Sequence, residues 1–336
     1  MKNRKKIAIV TGGAGFIGSH MVDLLLKKNH EVRVIDDLSG GQKKNIKHHV
    51  KNKNLKFLKK NINNINSKHY FFKNVDHVYH FAGKGDIVPS IEDPNSYFVT
   101  NIIGTSKILE ACYKNKIKRF VYAASSSCYG IAKSPTDEKH PINPLYPYAL
   151  SKYMGEKIMF HWGNLYNLEV NSIRIFNTYG KRVKTTGVYG AVFGVFFRQA
   201  LSKKALTIVG DGNQKRDFLH VKDAAEAFYA LNNSKYKNQI YNLGAGNPIK
   251  IKTLAKLICD KQIKIPKRPG EPEVTFANIK KIKRDLNWSP KIRFEEGVKD
   301  MLKDIKSWKE APLWNKNSIK KATMLWFKYM SKIKNV

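Results

Sequence analysis

Hydrophobic and polar residues follow two different periods in the first half of the chain. Six short apolar runs, rich in β-branched residues, predict strands: KIAIVT, HEVRVID, LKFLK, VDHVYHFA, RFVYAAS and VNSIRIF. The segments 16–28, 95–115 and 146–166 carry apolar residues at helical spacing and predict helices among those strands. Alternation of this kind predicts a doubly wound α/β fold, in which helices cover both faces of a parallel sheet.

The pattern becomes less regular after Phe176. The glycine-rich segments TTGVYG and VGDGNQ and the proline-rich KIPKRPGEPE predict turns and loops. Two later segments, VKDAAEAFYALNN and QIYNLGAG, predict a helix and a strand that return to the main sheet. We therefore predict a main domain of residues 1–176 and 212–244, and a smaller region of residues 177–211 and 245–307.

The last part of the chain, residues 308–336, predicts a basic amphipathic helix. Five apolar residues recur there at helical spacing: Ile319, Ala322, Trp326, Met330 and Ile333. Packing of this face on its own domain or on a partner subunit is the favoured interpretation. Peripheral contact with a membrane surface is the alternative, because basic amphipathic helices also bind there.

Composition adds a strong positive charge to this picture. The chain has 336 residues, of which 42% are hydrophobic, and its formal net charge is +36. Such a charge is compatible with nucleic-acid binding, but the lysines are spread along the chain and no zinc-finger or RNA-binding motif accompanies them. We therefore predict a solvated lysine-rich surface that attracts anionic substrates, and no nucleic-acid partner.

The cysteines and the N-terminus bear on the cellular compartment. The three cysteines are far apart and form no CxxC pair, so they predict neither a disulfide framework nor a zinc site. The basic N-terminus and the apolar run behind it resemble a signal peptide, but glycines interrupt that run after five residues. No stretch approaches the roughly 20 apolar residues that a membrane span needs. These features predict a cytoplasmic protein without a transmembrane segment.

A glycine pattern in AIVTGGAGFIGSH follows the first predicted strand and opens the first predicted helix. Gly12 allows the tight turn, Gly15 lets a pyrophosphate approach the backbone, and Gly18 permits close packing of helix and strand. Asp36 ends the second strand 18 residues after Gly18, where its carboxylate can accept hydrogen bonds from ribose hydroxyls. Because that carboxylate would repel a 2′-phosphate, the pattern favours NAD over NADP, although Arg33 nearby favours the alternative.

The segment YPYALSKYMGEK places Tyr148 and Lys152 four residues apart, on one face of a helix. Lowering the pKa of a tyrosine by ~3 units, so that it acts as a base near neutral pH, takes about 4 kcal/mol. A lysine ammonium at ~4 Å supplies about that much at an effective dielectric constant of ~20. Tyr146 is the competing base, but it lies six residues from Lys152 and on another face. The spacing therefore predicts Tyr148 as a general base.

These motifs occur together with HFAG, SSSCYG, RIFNTYGKR, GDGNQKRDFLHVKD and RPGEPE. In this combination, residues 6–305 resemble the extended short-chain dehydrogenase/reductase family, and within it the nucleotide-sugar epimerases, dehydratases and decarboxylases. The resemblance implies a Rossmann domain that binds NAD, formed by the main domain, and a smaller region that binds a nucleotide sugar, with a UDP-sugar favoured. It also implies a homodimer held together by two helices of each subunit.

The resemblance assigns roles to individual residues. Tyr148 would take the proton of a sugar hydroxyl, Lys152 would hold the cofactor ribose, and Ser125 would complete the hydrogen bonding of that hydroxyl. The implied cofactor contacts are Gly12, Gly15, Phe16, Ile17, Gly18, Asp36, Asn61, Ile62, Phe81, Ala82, Gly83, Asn101, Tyr148 and Lys152. The implied substrate contacts are Ser90, Ser125, Ser126, Tyr148, Asn177, Arg216, Arg268 and Thr275. The two arginines suit a diphosphate because each guanidinium forks onto phosphate oxygens.

The residues after Ser125 distinguish the reactions within the family. Dehydratases carry Asp and Glu at the next two positions, and decarboxylases carry Glu at the second and an arginine directly after the active-site lysine. Here those positions hold Ser126, Ser127 and Tyr153. Elimination therefore lacks its acid and base, and we predict NAD-dependent 4-epimerisation through a transient 4-keto sugar. A decarboxylase, a dehydratase or another enzyme of the family is the first alternative, and a non-catalytic NAD- or anion-binding protein is the second.

Two further positions refine the predicted site. In the related epimerases, a bulky tyrosine two residues before the alanine of the strand after RPGEP excludes N-acetylated sugars, and Thr275 stands there in this chain. The small side chain at this position predicts room for a 2-acetamido group.

Asn61 replaces the acidic residue usual near the adenine, and its amide oxygen can still accept a hydrogen bond. The adjacent His48 and His49 lack ligand spacing, so no metal site is predicted.

Overall fold

The computed structural model describes residues 4–183 and 192–332; the turn predicted at TTGVYG and the C-terminal Ile333 lie outside these residues. Within them the strands are β1 (Ile7–Thr11), β2 (Glu31–Asp36), β3 (Leu55–Lys59), β4 (His77–His80), β5 (Arg119–Ser125), β6 (Glu169–Ile175), β7 (Asn177–Tyr179), β8 (Leu206–Val209), β9 (Lys215–Arg216), β10 (Phe218–His220), β11 (Gln239–Leu243), β12 (Ile249–Lys250) and β13 (Gln262–Ile265). The α-helices are α1 (Phe16–Lys27), α2 (Pro89–Glu92), α3 (Pro94–Phe98), α4 (Thr105–Lys114), α5 (Pro147–Tyr166), α6 (Val192–Leu201), α7 (Val221–Asn232), α8 (Ile251–Ile258), α9 (Lys280–Leu286), α10 (Phe294–Lys303), α11 (Lys316–Ala322) and α12 (Met324–Met330). None of the described helices is long and apolar enough to cross a membrane.

Seven of these strands form one parallel sheet in the order β11-β6-β5-β4-β1-β2-β3. All six strands predicted from the first half of the sequence belong to it, and β11 confirms that QIYNLGAG returns to the same sheet. The strand order reverses between β1 and β4, which is the arrangement of a Rossmann fold and the place where such sheets bind ligands. The predicted doubly wound architecture is therefore confirmed.

Helices cover both faces of this sheet and bury its apolar side chains. On one face, α1 and α7 pack over a core that includes Val10, Leu25 and Phe228. On the other face, α4 and α5 cover Ile9 and Phe120. Neighbouring residues of a strand point to opposite faces of a sheet. Because both faces are covered, the strands are almost continuously apolar, which is why they were recognisable in the sequence.

The smaller region has an apolar core of its own. Helices α6, α8 and α10 and the parallel strand pairs β7–β10 and β8–β13 contribute to it, with Phe197, Leu254 and Met301 among its buried residues. A short antiparallel pair joins β9 to β12. Phe218 belongs to this core although it lies in the segment predicted for the main domain. The exact division of the chain into two domains therefore stays a prediction.

The C-terminal segment differs from the single helix predicted over residues 308–336. The structure has two short helices, α11 and α12, which meet at Thr323. The Thr323 hydroxyl donates to the carbonyl of Ile319 at 2.8 Å, a side-chain contact that bends helices. Ile319 is buried in the core of the smaller region, whereas Trp326 and Met330 are buried in a separate small cluster. The segment is broken because its two halves pack in different places on their own chain.

Candidate active site

The glycine-rich turn lies at the carboxyl end of β1, where the strand order reverses. Gly12 has a φ of +67°, and a Cβ at this position would lie 2.7 Å from the backbone nitrogen of Ala82. Gly15 is the N-cap of α1, and no side chain in the described residues caps the first turn, Phe16–Gly18. Uncapped N–H groups at a helix N-terminus bind phosphate. The turn therefore has the shape and the donors that a pyrophosphate needs.

Asp36 ends β2 beside this turn. Its carboxylate oxygens accept hydrogen bonds from the backbone N–H groups of Ala14, at 2.9 Å, and Leu38, at 2.8 Å. Burial raises the pKa of Asp36 above its ordinary value, and the two hydrogen bonds oppose that shift. Each oxygen keeps a second lone pair, so the carboxylate can still accept hydrogen bonds from ribose hydroxyls.

Asn61 and Ile62 follow β3 at the start of a short 3-10 helix. The amide nitrogen of Asn61 donates to Asp37 at 2.7 Å, and its oxygen accepts the backbone N–H of Asn63 at 2.9 Å. A carbonyl oxygen can accept two hydrogen bonds, so the contact with adenine stays a prediction. Ile62 is only 5% exposed and is part of the core beneath α4, which leaves little of its side chain to touch a cofactor.

The loop after β4, Phe81–Gly83, lies directly against the glycine-rich turn, since a Cβ on Gly12 would meet the backbone of Phe81 and Ala82. Asn101 ties this loop to α5, because its side chain bonds both backbone groups of Lys84 and donates to a serine hydroxyl of α5 at 2.9 Å. A Cβ on Gly83 would lie 2.8 Å from the Asn101 side-chain oxygen and 3.7 Å from Nζ of Lys152. Three predicted cofactor residues therefore converge at this point.

Ser125, Tyr148 and Lys152 meet where β5 ends and α5 begins. Ser125 is the last residue of β5, and hydrogen bonding to its side chain acts to lower the pKa of the Tyr148 hydroxyl. Lys152 lies one turn further along α5, is 7% exposed, and holds Nζ 4.3 Å from the centre of the Tyr122 ring. The structure thus brings together the three residues that the sequence predicted to be catalytic.

Burial controls the ionisation of this group. It raises the pKa of Tyr148 above its ordinary value, against the hydrogen bond from Ser125. It also lowers the pKa of Lys152 to about 7, although the Glu156 carboxylate acts in the opposite direction. The spacing predicted that attraction to the lysine would lower the pKa of the tyrosine, but the pKa is raised, and desolvation is the main cause. Tyr148 therefore needs further positive charge beside its oxygen before it can act as a base at neutral pH.

Tyr146, the competing base, lies beside Tyr148. The two rings are nearly parallel, with centroids 6.4 Å apart and an interplanar angle of 9°. Hydrogen bonding to Ser127 acts to lower the pKa of Tyr146, but burial has the larger effect and raises it. The ring of Trp326 lies 5.6 Å from that of Tyr146. Of the two tyrosines, Tyr148 is the one whose hydroxyl reaches the serine at the end of β5.

Asp86 is an acidic residue near this group that sequence analysis missed. Its charge adds to the effect of burial in raising the pKa of Tyr148. It lies four residues before Ser90, which is fully buried and whose hydroxyl donates to the carbonyl of Ile87 at 2.6 Å. The sugar contact of Ser90 stays a prediction. Ser126 is half-buried and follows Ser125 directly, at the start of a short 3-10 helix.

Four of the predicted substrate residues lie in two groups, one joined by a hydrogen bond and the other by ion pairs. The Thr275 hydroxyl donates to the side-chain oxygen of Asn177 at 2.6 Å. Arg216 and Arg268 share the Glu271 carboxylate, with Nη2 of the first and Nε of the second each 2.8 Å from one of its oxygens. Burial alone would raise the pKa of Glu271, but the two arginines hold it below its ordinary value. Sequence analysis named both arginines and missed this carboxylate, although it lies within RPGEP.

A buried ion pair lies beneath the candidate catalytic residues. Arg174 and Glu156 are 3% and 1% exposed, and two hydrogen bonds of 2.6 and 3.1 Å join them. Arg174 also donates to the Tyr129 hydroxyl at 2.8 Å, which in turn donates to Asn242 at 2.7 Å. Sequence analysis missed this ion pair. The one local indication of it was the position of Glu156, one helical turn after Lys152.

His48 and His49 lie against Asp23, each with Nε2 2.8 Å from the same carboxylate oxygen. These three side chains are close enough to hold a metal ion, contrary to the expectation from the spacing of the histidines alone. The spacing missed the group because Asp23 lies on α1, 25 residues before His48. Arg182 binds the second oxygen of Asp23 at 2.8 Å, and its positive charge opposes a cation at this position.

The sequence and fold match well-described proteins. Residues 8–244 match the profile of the NAD dependent epimerase/dehydratase family. A protein of Methanocaldococcus jannaschii, provisionally named UDP-glucose 4-epimerase, is 38% identical over 309 residues, which are 89% of this chain and 98% of that protein. UDP-glucuronic acid decarboxylase 4 of Arabidopsis thaliana is 32% identical over 318 residues, which are 91% of this chain and 70% of that protein.

A solved structure agrees with these relatives. It is a UDP-N-acetylglucosamine 4-epimerase from Methanobrevibacter ruminantium in complex with UDP-N-acetylmuramic acid. It superimposes with a TM-score of 0.85 at 31% identity and covers 90% of this chain and 99% of that one. The crevice at the strand reversal, the assembled tyrosine and lysine, and the match along most of the chain agree on an enzyme that uses NAD. The chain belongs to the NAD-dependent epimerase/dehydratase family.

Proposed function

We propose that the protein is a nucleotide-sugar 4-epimerase that acts on a UDP-hexose and has room for a 2-acetamido group. The observation that carries the proposal is the end of β5. There Ser125 contacts Tyr148 and is followed by Ser126 and Ser127, which are neutral where eliminating relatives carry carboxylates. Epimerisation needs a base, its hydroxyl partner and NAD, and no further acid.

Each residue of the group has a defined task in this reaction. NAD held by the glycine-rich turn, Asp36 and Lys152 would supply the redox chemistry at C4, which oxidises the sugar to its 4-keto form and reduces it again from the opposite face. The oxygen of Tyr148 accepts the proton of the C4 hydroxyl and returns it when the ketone is reduced, so the base is regenerated in each turnover. Ser125 holds the C4 oxygen within reach, and the charged form of Lys152 stabilises the tyrosinate.

The smaller region supplies the charges for the diphosphate. Glu271 holds Arg216 and Arg268 side by side, so two guanidinium forks are oriented before a ligand arrives. The net charge of +36 attracts an anionic substrate to the protein as a whole. A cytoplasmic location and the absence of a nucleic-acid partner stay predictions.

A panel of UDP-, GDP- and dTDP-sugars, incubated with the protein and no added NAD, tests the proposal. We expect UDP-sugars that differ only at C4 to interconvert, as resolved by NMR, because tightly held NAD is regenerated in every turnover. Release of carbon dioxide from UDP-glucuronate would instead favour the decarboxylase, a class to which one 32% identical relative belongs. Accumulation of a keto sugar without its epimer would favour a dehydratase.

The Thr275→Tyr variant tests the choice of sugar in the same panel. A tyrosine in place of this half-buried threonine fills the space beside Asn177, so we expect turnover of the 2-acetamido pair to fall by roughly 100-fold. Turnover of the plain UDP-hexose pair should change much less, and Thr275→Ser is the matched control. Wild-type turnover confined to the plain pair would overturn the predicted room for an acetamido group.

We also propose that the protein is a homodimer joined through α4 and α5. These helices pack against each other and leave apolar side chains exposed, at Tyr113 of α4 and at Leu150, Met154 and Leu165 of α5; Ile103, just before α4, is exposed as well. On α5, three of the exposed apolar residues, Leu150, Met154 and Leu165, lie on one face, as in a helix that packs against a partner. A second copy of the chain would cover this face, and the exposed Lys157, which lies among these residues on α5, would keep its ammonium group in solvent or gain a partner there.

The Met154→Glu variant tests this interface. A carboxylate at the centre of an apolar contact loses its hydration without gaining a partner, so we expect a dimeric wild type and a monomeric variant. Light scattering during gel filtration measures both masses. Met324→Glu, on an exposed face of α12, is the control and should leave the mass unchanged. A monomeric wild type would contradict the proposed dimer.

A further inference from the structure

Helix α12 contacts three segments that border the proposed substrate site. Trp326 is 6% exposed, and its indole N–H donates to the carbonyl of Pro269 at 2.9 Å. Pro269 directly follows Arg268, so this bond fixes the loop that carries one of the two clamping arginines. Met330 lies against the next residue, Gly270, where a Cβ would meet its side chain at 2.6 Å.

Helix α12 also contacts two further segments that border the proposed substrate site. The ring of Trp326 lies 5.6 Å from that of Tyr146, which stacks in turn beside Tyr148. Trp326 and Met330 also share a buried cluster with Val88, the residue that precedes α2. One helix therefore joins the arginine loop, the tyrosine pair and the segment that contains the predicted sugar contact.

This helix lies beyond the part of the chain in which the family motifs occur. Those motifs end near residue 305, and α12 begins at Met324. Two relatives that are matched over 98% and 99% of their own lengths cover only 89% and 90% of this chain. About a tenth of this chain therefore has no counterpart in those proteins, and its function has to be worked out from its contacts here.

We propose that Trp326 is a positioning residue of the substrate site, and that α12 forms part of the wall against which the nucleotide diphosphate binds. The hydrogen bond to Pro269 sets the distance between the arginine loop and the tyrosine pair, because the same indole ring also rests on Tyr146. Without the indole ring, the loop that carries Arg268 loses its hydrogen bond, and the Tyr146 ring loses its packing partner. This inference rests on the proposed function, since it assigns a diphosphate to the arginines.

Two substitutions separate the ring of Trp326 from its hydrogen bond. Trp326→Ala removes both, and we expect the dissociation constant for UDP to rise at least about tenfold, with a parallel rise in KM for the preferred UDP-sugar. Trp326→Phe keeps an aromatic ring but leaves the Pro269 carbonyl without the indole donor, so its effect should be intermediate. Calorimetric titration with UDP measures the first quantity without any need for turnover.

The controls lie on the same helix. Met324→Ala and Tyr329→Ala change side chains that are 63% and 47% exposed, and both variants should bind UDP as the wild type does. Retained NAD, read from absorbance after gel filtration, reports that each variant is folded. A merely structural role would lower the amount of folded protein and leave the affinity of that protein for UDP unchanged.

The outcomes of this experiment are distinct from those of the sugar panel. Unchanged UDP affinity and KM in a folded Trp326→Ala variant would overturn the inference, and so would a wild type that does not bind UDP. A wild type that binds UDP but converts no sugar would refute the proposed epimerase, while the comparison of UDP affinities would still decide the role of Trp326.

Discussion

Replacing Tyr148 by phenylalanine should lower kcat for epimerisation by about 10²- to 10⁴-fold, the range that a general base contributes. The variant keeps the ring beside Tyr146 and loses only the hydroxyl that bonds Ser125. The proton of the C4 hydroxyl then has no acceptor within reach. Because the substitution leaves the proposed diphosphate contacts in place, KM should change little, and NAD should stay bound.

Initial rates from coupled assays of the preferred UDP-sugar measure this effect. Tyr146→Phe is the matched control, since its hydroxyl contacts Ser127 instead, and it should keep most of its activity. Ser125→Ala should lose much of the turnover and retain NAD, because the tyrosine keeps its place but loses its hydrogen-bond partner. If Tyr146→Phe were the inactive variant and Tyr148→Phe the active one, the base would be Tyr146.

Replacing Glu156 by glutamine should lower the free energy of unfolding by about 3–5 kcal/mol, the usual loss when one partner of a buried ion pair is removed. Arg174 is 3% exposed and cannot recover its hydration in the folded protein. Glutamine keeps the size of the side chain, so the loss comes from the charge and not from a cavity. The Ser172 hydroxyl, which donates to Glu156 at 2.6 Å, keeps an acceptor in the variant.

Urea denaturation followed by circular dichroism measures this loss. The control is Glu169→Gln, which breaks the ion pair with Arg119 at a site where the glutamate side chain is 34% exposed. Partly exposed pairs are worth only about 1 kcal/mol or less, so the control should change stability much less. Equal losses in the two variants would show that water reaches the buried pair. Replacing both Glu156 and Arg174 by leucine should recover part of the stability, since no charge is then left unpaired.

The parts of the molecule that could be predicted are those that depend on local sequence. Five of the six strands were recognisable because they are largely buried on both faces and are therefore mostly apolar runs. The edge strand β3 is partly exposed and was recognisable from its apolar Leu55, Phe57 and Leu58. The turn after β1 was recognisable because Gly12 adopts a positive φ in close contact with a neighbouring loop, and only glycine does this without strain. Tyr148 and Lys152 were recognisable because both are on the first turns of one helix.

The parts that could not be predicted depend on contacts between distant segments. Glu271 was missed because its partnership with Arg216 joins residues 55 positions apart, and no local spacing encodes it. The ionisation of Tyr148 differed from the expectation because burial, which a sequence does not show, raises its pKa, and the charge of Asp86 adds to that effect. The C-terminal segment forms two helices that meet at Thr323, because the apolar residues of its two halves are buried in separate clusters.

The shared carboxylate of Glu271 has a consequence for product release. Its single negative charge cancels one of the two arginine charges that it contacts, so these three side chains present one net positive charge to a diphosphate. Substrate and product of an epimerase carry the same diphosphate, and contacts that are equal in both do not speed the chemical step. A stronger clamp would only lengthen the residence time of the product. In the proposed epimerase, Glu271 would therefore act as an internal counterion that weakens binding of the diphosphate and lets each sugar dissociate after C4 has been inverted.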